Sequence, residues 1–303
     1  MFTKRDLLVR HIKRDKFLYL MVIPGLLFFI IFKYVPMYGI TIAFKDYRIS
    51  QGVLGSPWVG WKHFARFFTS SDFSQVMINT VLLSLYKLMI GFPVPILLAI
   101  LLNELHSIFF KRVVQTVTYL PHFISWVVIG NLVLILLSPK TGLLSSMITS
   151  LTGAHVNLLM DPRYFRGVLV VSDIWKEMGW SAIVYLAALA GVDPTLYEAA
   201  DIDGASRGRK MWSITLPSIV NVIVIMLILR VGRILDAGFE QVLIMSNPLV
   251  NSVAEIIDTY VYKMGITQAE YSYSTAVNLF KSLIGLIMVL MVNSLAKRWE
   301  ADI

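Results

Sequence analysis

Cationic side chains stand inside apolar stretches of this 303-residue chain, among them Lys87, Arg230, Arg233 and Lys281. A charge in hydrocarbon costs roughly 3 kcal/mol or more, so such a residue faces a polar cavity, pairs with a carboxylate or extends its charge to the membrane surface. The functional interpretation is a polar passage whose cations bind hydroxyl or carboxylate groups of a solute. The alternative is pairing within the chain, because Asp236 and Glu240 follow Arg233 at spacings that would share one face of a helix.

Aromatic side chains near the ends of these stretches could stack on the rings of a sugar. Trp126 and Phe239 are the first candidates, and Tyr119 and Trp180 are further ones. Aromatic residues at this depth also serve as interface anchors or packing groups, and this alternative stays open. The candidate substrate path consists of Lys87, Trp126, Arg230, Arg233, Asp236, Phe239 and Lys281.

Several kinds of chemistry are excluded. The chain has no cysteine, and none of its five histidines lies one helical turn from another, so thiolate and HExxH-type metal sites are absent. No nucleophile–base pair of an intramembrane enzyme is evident. The segment Gly204–Lys210 superficially matches a phosphate-binding loop, but its glycines are too close together and Met211 stands where a hydroxyl residue is needed. We expect no bound cofactor, no metal and no ATP hydrolysis by this chain itself.

The composition indicates a membrane protein, because 57% of the residues are hydrophobic, 15% are charged and the mean hydropathy is +0.71. Apolar stretches long enough to cross a hydrocarbon core of about 30 Å lie at Phe17–Pro36, Ile78–Leu102, Val113–Leu137, Gly167–Ala190, Ile214–Leu235 and Thr275–Leu295. A backbone in lipid must satisfy its hydrogen bonds internally, so each stretch is predicted to be a helix. The predicted fold class is an all-α membrane protein with six transmembrane helices.

Lysine and arginine predict the orientation. The cations before the first stretch are Lys4, Arg5, Arg10, Lys13, Arg14 and Lys16, and they place the N-terminus in the cytoplasm. Even numbers of crossings bring Lys111–Arg112, Arg207–Lys210 and Lys297–Arg298 to the same side. The net charge of +8 reflects these loops, and we expect no nucleic-acid partner. No small-residue cleavage site follows the first stretch, so we expect an uncleaved anchor and not a signal peptide.

The exterior segment Trp58–Phe68 reads WVGWKHFARFF. Trp61, Phe64 and Phe68 recur at helical spacing, which predicts an amphipathic helix at the level of the lipid headgroups. An aromatic patch that contacts substrate is the alternative.

The cytoplasmic loop 193–217 is too polar to span the membrane, and its ordered pattern of residues is not typical of a flexible linker. Asp193 followed by Pro194 predicts a helix start, with an N-cap acceptor and a proline at the first helical position. Gly204 predicts the end of this helix, since glycine readily adopts the left-handed conformation. With a second short helix after it, the loop is predicted to be a helix–turn–helix across the cytoplasmic face.

The motif in this loop resembles the cytoplasmic signature of binding-protein-dependent ABC importer permeases. It consists of Glu198, Ala199, Ala200, Asp203, Gly204, Ala205, Ile214, Leu216 and Pro217. In that family the loop is the coupling helix, which docks into a groove on an ATPase subunit. The resemblance implies that ATPase coupling depends on Glu198, Ala199, Ala200, Asp203, Gly204, Ala205, Leu216 and Pro217, with Glu198 and Gly204 foremost.

The resemblance covers nearly the whole chain. Residues 115–126 and 175–180 look like the carbohydrate-uptake branch, and residues 236–241 and 258–262 resemble permeases of polysaccharides and complex oligosaccharides. It implies a MetI-like fold with both termini in the cytoplasm. The implied division is a basic N-terminus at 1–16, a first transmembrane helix and exterior amphipathic loop at 17–72, a MetI-like transmembrane domain at 73–298 that contains the coupling loop 193–217, and a tail at 299–303.

The expected function is that of one permease subunit of an ATP-driven importer, which translocates oligosaccharides by alternating access. The cations of the candidate path make acidic sugars a further hypothesis. The implied partners are a second homologous permease in a heterodimer, two copies of an ABC ATPase that uses ATP and Mg, and an extracytoplasmic solute-binding lipoprotein or periplasmic protein. The implied location is the inner membrane of a bacterial cell, crossed several times.

Two alternatives stay open. The chain could be an importer permease for another small polar solute, or a self-sufficient secondary carrier. A carrier of the common type would show broken spans in matching halves, and Pro93 and Pro95 in the second stretch have no counterpart.

Overall fold

A computed structural model describes residues 14–153 and 156–301. The predicted basic residues Lys4, Arg5, Arg10 and Lys13 lie outside the described residues, as do tail residues 302 and 303. Lys297 and Arg298 belong to the last helix, and their side chains are also outside the description.

Within this part of the chain the structure is built of helices, and its β-type pairing is limited to one antiparallel bridge between Lys45 and Trp58. The helices of the N-terminal half are α1 (Lys16–Phe44), α2 (Gly52–Gly55), α3 (Lys62–Thr69), α4 (Asp72–Asn103), α5 (Ile108–Phe123), α6 (Trp126–Leu136) and α7 (Leu143–Thr152). Those of the C-terminal half are α8 (Pro162–Leu189), α9 (Pro194–Ile202), α10 (Arg207–Ser218), α11 (Val220–Gly232), α12 (Phe239–Met245), α13 (Asn251–Ala254), α14 (Ile257–Tyr262) and α15 (Tyr271–Ala301). The predicted all-α class is confirmed.

The long apolar helices match the predicted stretches. Within the described residues, α1, α4 and α15 are long and apolar enough to cross a membrane without a break. Three bent pairs, α5 with α6, α8 with α9 and α10 with α11, can each supply one more crossing. The count of six spans and the cytoplasmic position of both termini stay predictions.

The third stretch is not the continuous helix that was predicted over Val113–Leu137. Helices α5 and α6 meet at 107° across a break at residues 124–125. The end of α5 tightens into a 3-10 turn that contains Pro121, and Ser125 then adopts an extended conformation and caps α6 by accepting a hydrogen bond from the Val128 amide. The prediction of one straight span was therefore wrong, because proline and an N-cap serine favour a break here.

The fifth stretch is also broken. Helices α10 and α11 meet at 61°, and α11 ends at Gly232. The predicted continuous helix over Ile214–Leu235 is therefore interrupted at Ile219, while its end at Gly232 lies three residues from the predicted boundary. Pro217 lies on the last turn of α10, where a proline weakens helical hydrogen bonding and permits the bend.

The second stretch, by contrast, continues through its prolines. A π turn at Lys87–Gly91 widens α4 immediately before Pro93 and Pro95. A wider turn accommodates residues that cannot donate to the regular ladder, and such turns often occur at functional sites.

Helix α8 is the central helix and packs against α4, α5, α11 and α13. Its 28 residues give it a length of about 42 Å. Tyr185 and Leu189 on α8 pack with Ile96 and Ile100 of α4 in one core cluster. At its C-terminal end α8 turns through 75° into α9, so the central helix leads directly into the loop 193–217.

Helix α3 forms within the predicted aromatic segment, but its buried face differs from the prediction. Phe64 and Phe67 are buried against α15, while Trp61 and Phe68 are exposed. Arg66 of α3 pairs with Glu270 just before α15. The helix is thus fixed to the protein through one face.

Helix α1 is almost free of neighbours. None of its residues from Lys16 to Met37 is buried. Only its final turns, Tyr38–Phe44, pack against α15, where Ala43 becomes buried.

Candidate functional site

The loop 193–217 begins as its sequence predicted. The Asp193 carboxylate accepts a hydrogen bond of 2.9 Å from the Thr195 amide, and Pro194 occupies the first turn of α9. This hydrogen bond, made by the Thr195 backbone, holds the pKa of Asp193 below its ordinary value. The start of α9 is therefore fixed by residues adjacent in sequence.

The turn after α9 depends on Gly204, which has a φ of +70°. The Ala205 amide donates to the Ala200 carbonyl at 2.9 Å, and the Gly204 amide donates to the Asp201 carbonyl at 3.1 Å. These are the paired hydrogen bonds of a Schellman motif, in which a left-handed residue closes the helix. The predicted stop at Gly204 is where α9 ends.

Two side-chain contacts hold α9 against α10. The Lys210 ammonium lies 2.7 Å from the Asp201 carboxylate, and the Tyr197 and Thr215 hydroxyls are hydrogen-bonded at 3.0 Å. Helix α10 is longer than the predicted short helix. It passes through a π turn at Met211–Thr215 and ends with Leu216–Ser218. The loop is therefore a folded helical hairpin.

The motif residues divide by exposure. Glu198, Ala199, Asp203, Gly204 and Pro217 are exposed, while Ala200, Ala205 and Leu216 are partly buried. Leu216 packs against the core cluster that holds Tyr185.

The sequence reading missed two exposed apolar residues of the hairpin, Ile202 and Trp212, whose side chains are 88% and 70% exposed. A mostly polar pocket of about 480 Å³ lies between the two helices, with Gly204, Arg209 and Ser213 among its lining residues. The hairpin thus offers apolar side chains beside a polar pocket, which suits the docking of another protein.

A cavity of about 330 Å³, lined by apolar and charged side chains, lies between α4, α8 and α11. Arg230 and Arg233 line it from α11 and its end, and Asp173 and Glu177 line it from α8. The predicted path residues Arg230 and Arg233 therefore share one cavity.

Lys87 lies behind this cavity, not in it. Its side chain is 4% exposed, and its ammonium donates to the Asp173 carboxylate at 2.9 Å and to the Gln241 side-chain oxygen at 2.6 Å. The other Asp173 oxygen lies 3.8 Å from the Arg230 guanidinium. Asp173 thus links a buried lysine to a cavity arginine.

Asp236, Phe239 and Lys281 line a second cavity of about 600 Å³. The Lys281 ammonium lies 2.7 Å from both the Asp236 and the Asp258 carboxylates. The Phe239 and Tyr262 rings are in contact there, with centroids 5.6 Å apart.

The alternative in which Asp236 and Glu240 pair with Arg233 along one helix face is wrong. Helix α11 ends before Arg233, and Gly238, with a φ of +98°, turns the chain before α12 starts at Phe239. The three side chains therefore do not share a helix face, and Asp236 pairs with Lys281 instead.

Two of the aromatic candidates, Trp126 and Trp180, contact other side chains of the described structure. Trp126 is partly buried in a core cluster, and its ring centroid lies 5.7 Å from the Lys176 ammonium. Trp180 stacks on His122 with ring centroids 4.6 Å apart. Trp126 lines neither the 330 Å³ nor the 600 Å³ cavity.

Sequence reasoning missed the carboxylates that complete these sites. Asp173 and Glu177 are four residues apart inside the fourth apolar stretch, and Asp258 precedes the sixth. A charge pair at helical spacing inside an apolar stretch is a signal that could have identified the first two.

Comparison with known proteins identifies the family. The family model described as "Binding-protein-dependent transport system inner membrane component" matches residues 91–301. The polygalacturonan/rhamnogalacturonan transport system permease protein YteP of Bacillus subtilis (strain 168) is 50% identical, over 99% of this chain and 93% of that protein.

Two solved structures have the same fold. A chain of a bacterial ABC transporter involved in the import of the acidic polysaccharide alginate has a TM-score of 0.89 and 41% identity, over 96% of this chain and 98% of that chain. A chain of the bacterial alginate ABC transporter in complex with an alginate pentasaccharide-bound periplasmic protein has a TM-score of 0.88 and 41% identity, over 95% of this chain and 96% of that chain. The family that the loop motif predicted is thereby confirmed, and this multi-pass membrane chain belongs to the binding-protein-dependent transport system inner membrane components, the permease subunits of ABC importers.

Proposed function

We propose that this chain is one of two permease subunits of an importer for acidic oligosaccharides, molecules that carry uronate carboxylates. The observation that carries the substrate class is the pair of arginines, Arg230 and Arg233, that line the 330 Å³ cavity. The loop 193–217 connects this cavity, through α8, to a separate ATPase.

The two cavity arginines differ from Lys87 and Lys281 in how closely carboxylates of the protein pair with them. Lys87 and Lys281 each lie within 3 Å of a carboxylate, 2.9 Å and 2.7 Å respectively. The Arg230 side chain is 49% exposed and lies 3.8 Å from its nearest carboxylate. A guanidinium presents planar, paired donors that match a carboxylate, so an arginine with open donors suits a uronate.

Arg233 has fewer ionic contacts than Arg230 within the described residues. Its side chain is exposed in the turn after α11, and among the described residues no carboxylate lies within ion-pair distance of it. A bound uronate would supply the counter-ion that this arginine lacks.

The cavity as a whole is positive. Its wall holds Arg230 and Arg233 against the carboxylates Asp173 and Glu177, and the Lys87 ammonium lies directly behind Asp173. Three cations against two carboxylates leave an excess of one positive charge. A low-dielectric wall strengthens the attraction of this excess for an anion.

The second cavity suits the uncharged parts of a sugar. Phe239 and Tyr262 offer ring faces for stacking, and the Asp236 and Asp258 carboxylates can accept hydrogen bonds from hydroxyl groups. Relatives named for polygalacturonan and alginate, both polymers of uronic acids, support the same substrate class.

The remaining subunits follow from the family. We infer a second homologous permease as a heterodimer partner, two copies of an ATPase that binds ATP and Mg, and an extracytoplasmic binding protein that delivers the substrate. The hairpin α9–α10, with Glu198 exposed and Gly204 at its turn, is the surface for the ATPase. The proposed location is the inner membrane of a bacterium.

The test is ATP-driven uptake by the complete transporter in proteoliposomes, with uronate-bearing and neutral oligosaccharides of equal length. Loss of a charged hydrogen bond costs about 1.5–3 kcal/mol, so Arg230→Ala should reduce uptake of the uronate compound by about tenfold to hundredfold. Uptake of the neutral compound should change less than about twofold, because it makes no ion pair. Leu229→Ala, which changes an apolar residue of the same cavity wall, is the matched control.

Two results would contradict the proposal. Equal loss of uptake for both compounds in Arg230→Ala would remove the acidic substrate class and favour another small polar solute. Undiminished uptake by the unaltered protein without ATP would indicate a secondary carrier.

A further inference from the structure

We propose that Lys176 is a positioning residue that holds the break between α5 and α6 against the central helix α8. The Lys176 side chain lies on α8, is 6% exposed and reaches across to the break. The motif that predicts the coupling loop gives Lys176 no role, and Lys176 lines neither the 330 Å³ nor the 600 Å³ cavity.

The ammonium group of Lys176 meets three backbone carbonyls. It donates to the His122 carbonyl at 2.7 Å, to the Ile124 carbonyl at 2.8 Å and to the Pro121 carbonyl at 3.3 Å. These carbonyls belong to the last turn of α5 and to the break itself. Three donors therefore meet three acceptors, the full capacity of a lysine ammonium.

This arrangement gives hydrogen-bond donors to backbone carbonyls at a break in a membrane-spanning helix. A helix end leaves its last carbonyls without intrahelical partners, and in lipid no water replaces them. The C-terminal end of a helix also carries a partial negative charge, which a cation stabilises. Lys176 supplies both the missing donors and the opposite charge.

Neighbouring residues fix the same junction. The Glu177 carboxylate lies 2.8 Å from the His122 ring nitrogen, and the His122 ring stacks in parallel on Trp180. The Trp126 ring, at the start of α6, lies over the Lys176 ammonium. Residues on one turn and a half of α8 thus contact both sides of the break.

The consequence for transport rests on the proposed function. Helix α8 turns directly into α9, the first helix of the coupling loop. Because Lys176 holds the break to α8, a displacement of α9 would carry α5 and α6 along as one bent unit. Without Lys176 the bend angle would vary, and movement of the loop would no longer determine the position of α6.

The geometric test needs no transport activity. The chain has no cysteine, so cysteines placed at the exposed residues Val117 on α5 and Ile135 on α6 can be spin-labelled selectively. In the complete transporter we expect a narrow distribution of label distances for the unaltered protein and for Lys176→Arg, which keeps charged donors. Lys176→Met, which has no donor, should broaden and shift the distribution.

A matched control removes a lysine that also binds carbonyls, but elsewhere. Lys45 donates to the Val53 carbonyl at 2.7 Å and to the Leu54 carbonyl at 3.3 Å in the exterior loop. Lys45→Met should leave the label distances unchanged. If Lys176→Met does not accumulate in the membrane, Lys176→Gln, which keeps two uncharged donors, replaces it in the same measurement.

The functional test separates transport from ATP hydrolysis. We expect Lys176→Met to lower uptake about tenfold while ATP hydrolysis falls less than about twofold, and Lys176→Arg to restore uptake. An unchanged distance distribution in both Lys176→Met and Lys176→Gln would overturn the proposal. A broadened distribution in a transporter that never couples to ATP would support the role of Lys176 at the break and refute the proposed function instead.

Discussion

Replacing Gly179 by alanine should force α5 away from α8. A methyl group at Gly179 would overlap the carbonyl group of Thr118 and lie 2.9 Å from the Tyr119 amide nitrogen. All of these atoms belong to the backbone, so no side chain can rotate out of the way. The two helices must therefore separate, and the neighbouring break in the third stretch would move with α5.

The magnitude follows from two opposing effects. Overpacking of this kind costs about 1–3 kcal/mol. Alanine is a better helix former than glycine, which returns about 0.5–1 kcal/mol. The same helix contains the control, because a methyl group at Gly167 meets no atom within 4 Å. Since the helix-forming gain is common to both variants, the difference between Gly167→Ala and Gly179→Ala isolates the overpacking cost of about 1–3 kcal/mol.

The measurement is thermal unfolding in detergent micelles, followed by the fluorescence of the seven tryptophans. Gly167→Ala should unfold at or above the temperature of the unaltered protein, and Gly179→Ala should unfold below it. If Gly179→Ala proves as stable as Gly167→Ala, the close approach of α5 to α8 at this residue is incorrect.

Three further predictions concern the loop and the buried charges. Gly204→Val should destabilise the hairpin by about 1–2 kcal/mol, because a left-handed conformation is strained for a branched residue, and Gly204→Asn should cost less in the same unfolding assay. The pKa of Asp193 is lowered in the folded protein, so its stabilising contribution is present above its ordinary value of 3.8 and is lost as the pH falls through the folded value. Hydrogen exchange should therefore show weaker protection of the Thr195 amide in acid, and in Asp193→Ala at every pH. Lys87→Met should cost about 3–5 kcal/mol by leaving Asp173 with a distant partner, and adding Asp173→Asn should recover much of this loss in thermal unfolding.

The loop 193–217 was the part of the fold that the sequence predicted best, for a local reason. Asp193, Pro194 and Gly204 each act on the backbone within a few residues of themselves. An N-cap bond, a fixed proline φ and a left-handed glycine need no distant partner, so their positions in the sequence already determine the start and the end of α9.

The break in the third stretch could not be predicted in the same way. Hydrophobicity over Val113–Leu137 indicates a single span, and Pro121 alone does not decide whether the helix bends or ends. The decisive partner, Lys176, lies 52 residues from Ile124 in the chain. Its role depends on the packing of α5 against α8, which the pattern of apolar residues does not specify.

The prediction of the substrate path began from cations inside the apolar stretches and did not include most of their carboxylate partners. Lys87 and Lys281 are held by Asp173, Asp236 and Asp258, partners that come from other helices and are invisible to a reading of one stretch at a time. Arg230 and Arg233 do line one cavity. Their role in binding substrate stays a prediction.

The bare surface of α1 has a consequence for biosynthesis. Lipid tails are as apolar as leucine side chains, so a helix with no buried residue between Lys16 and Met37 gains little by waiting for the rest of its own chain. It can enter the bilayer as soon as it leaves the ribosome and tether the growing polypeptide there. Truncating α1 would then impair membrane insertion of the nascent chain, while the cores around α8 would keep every contact they have.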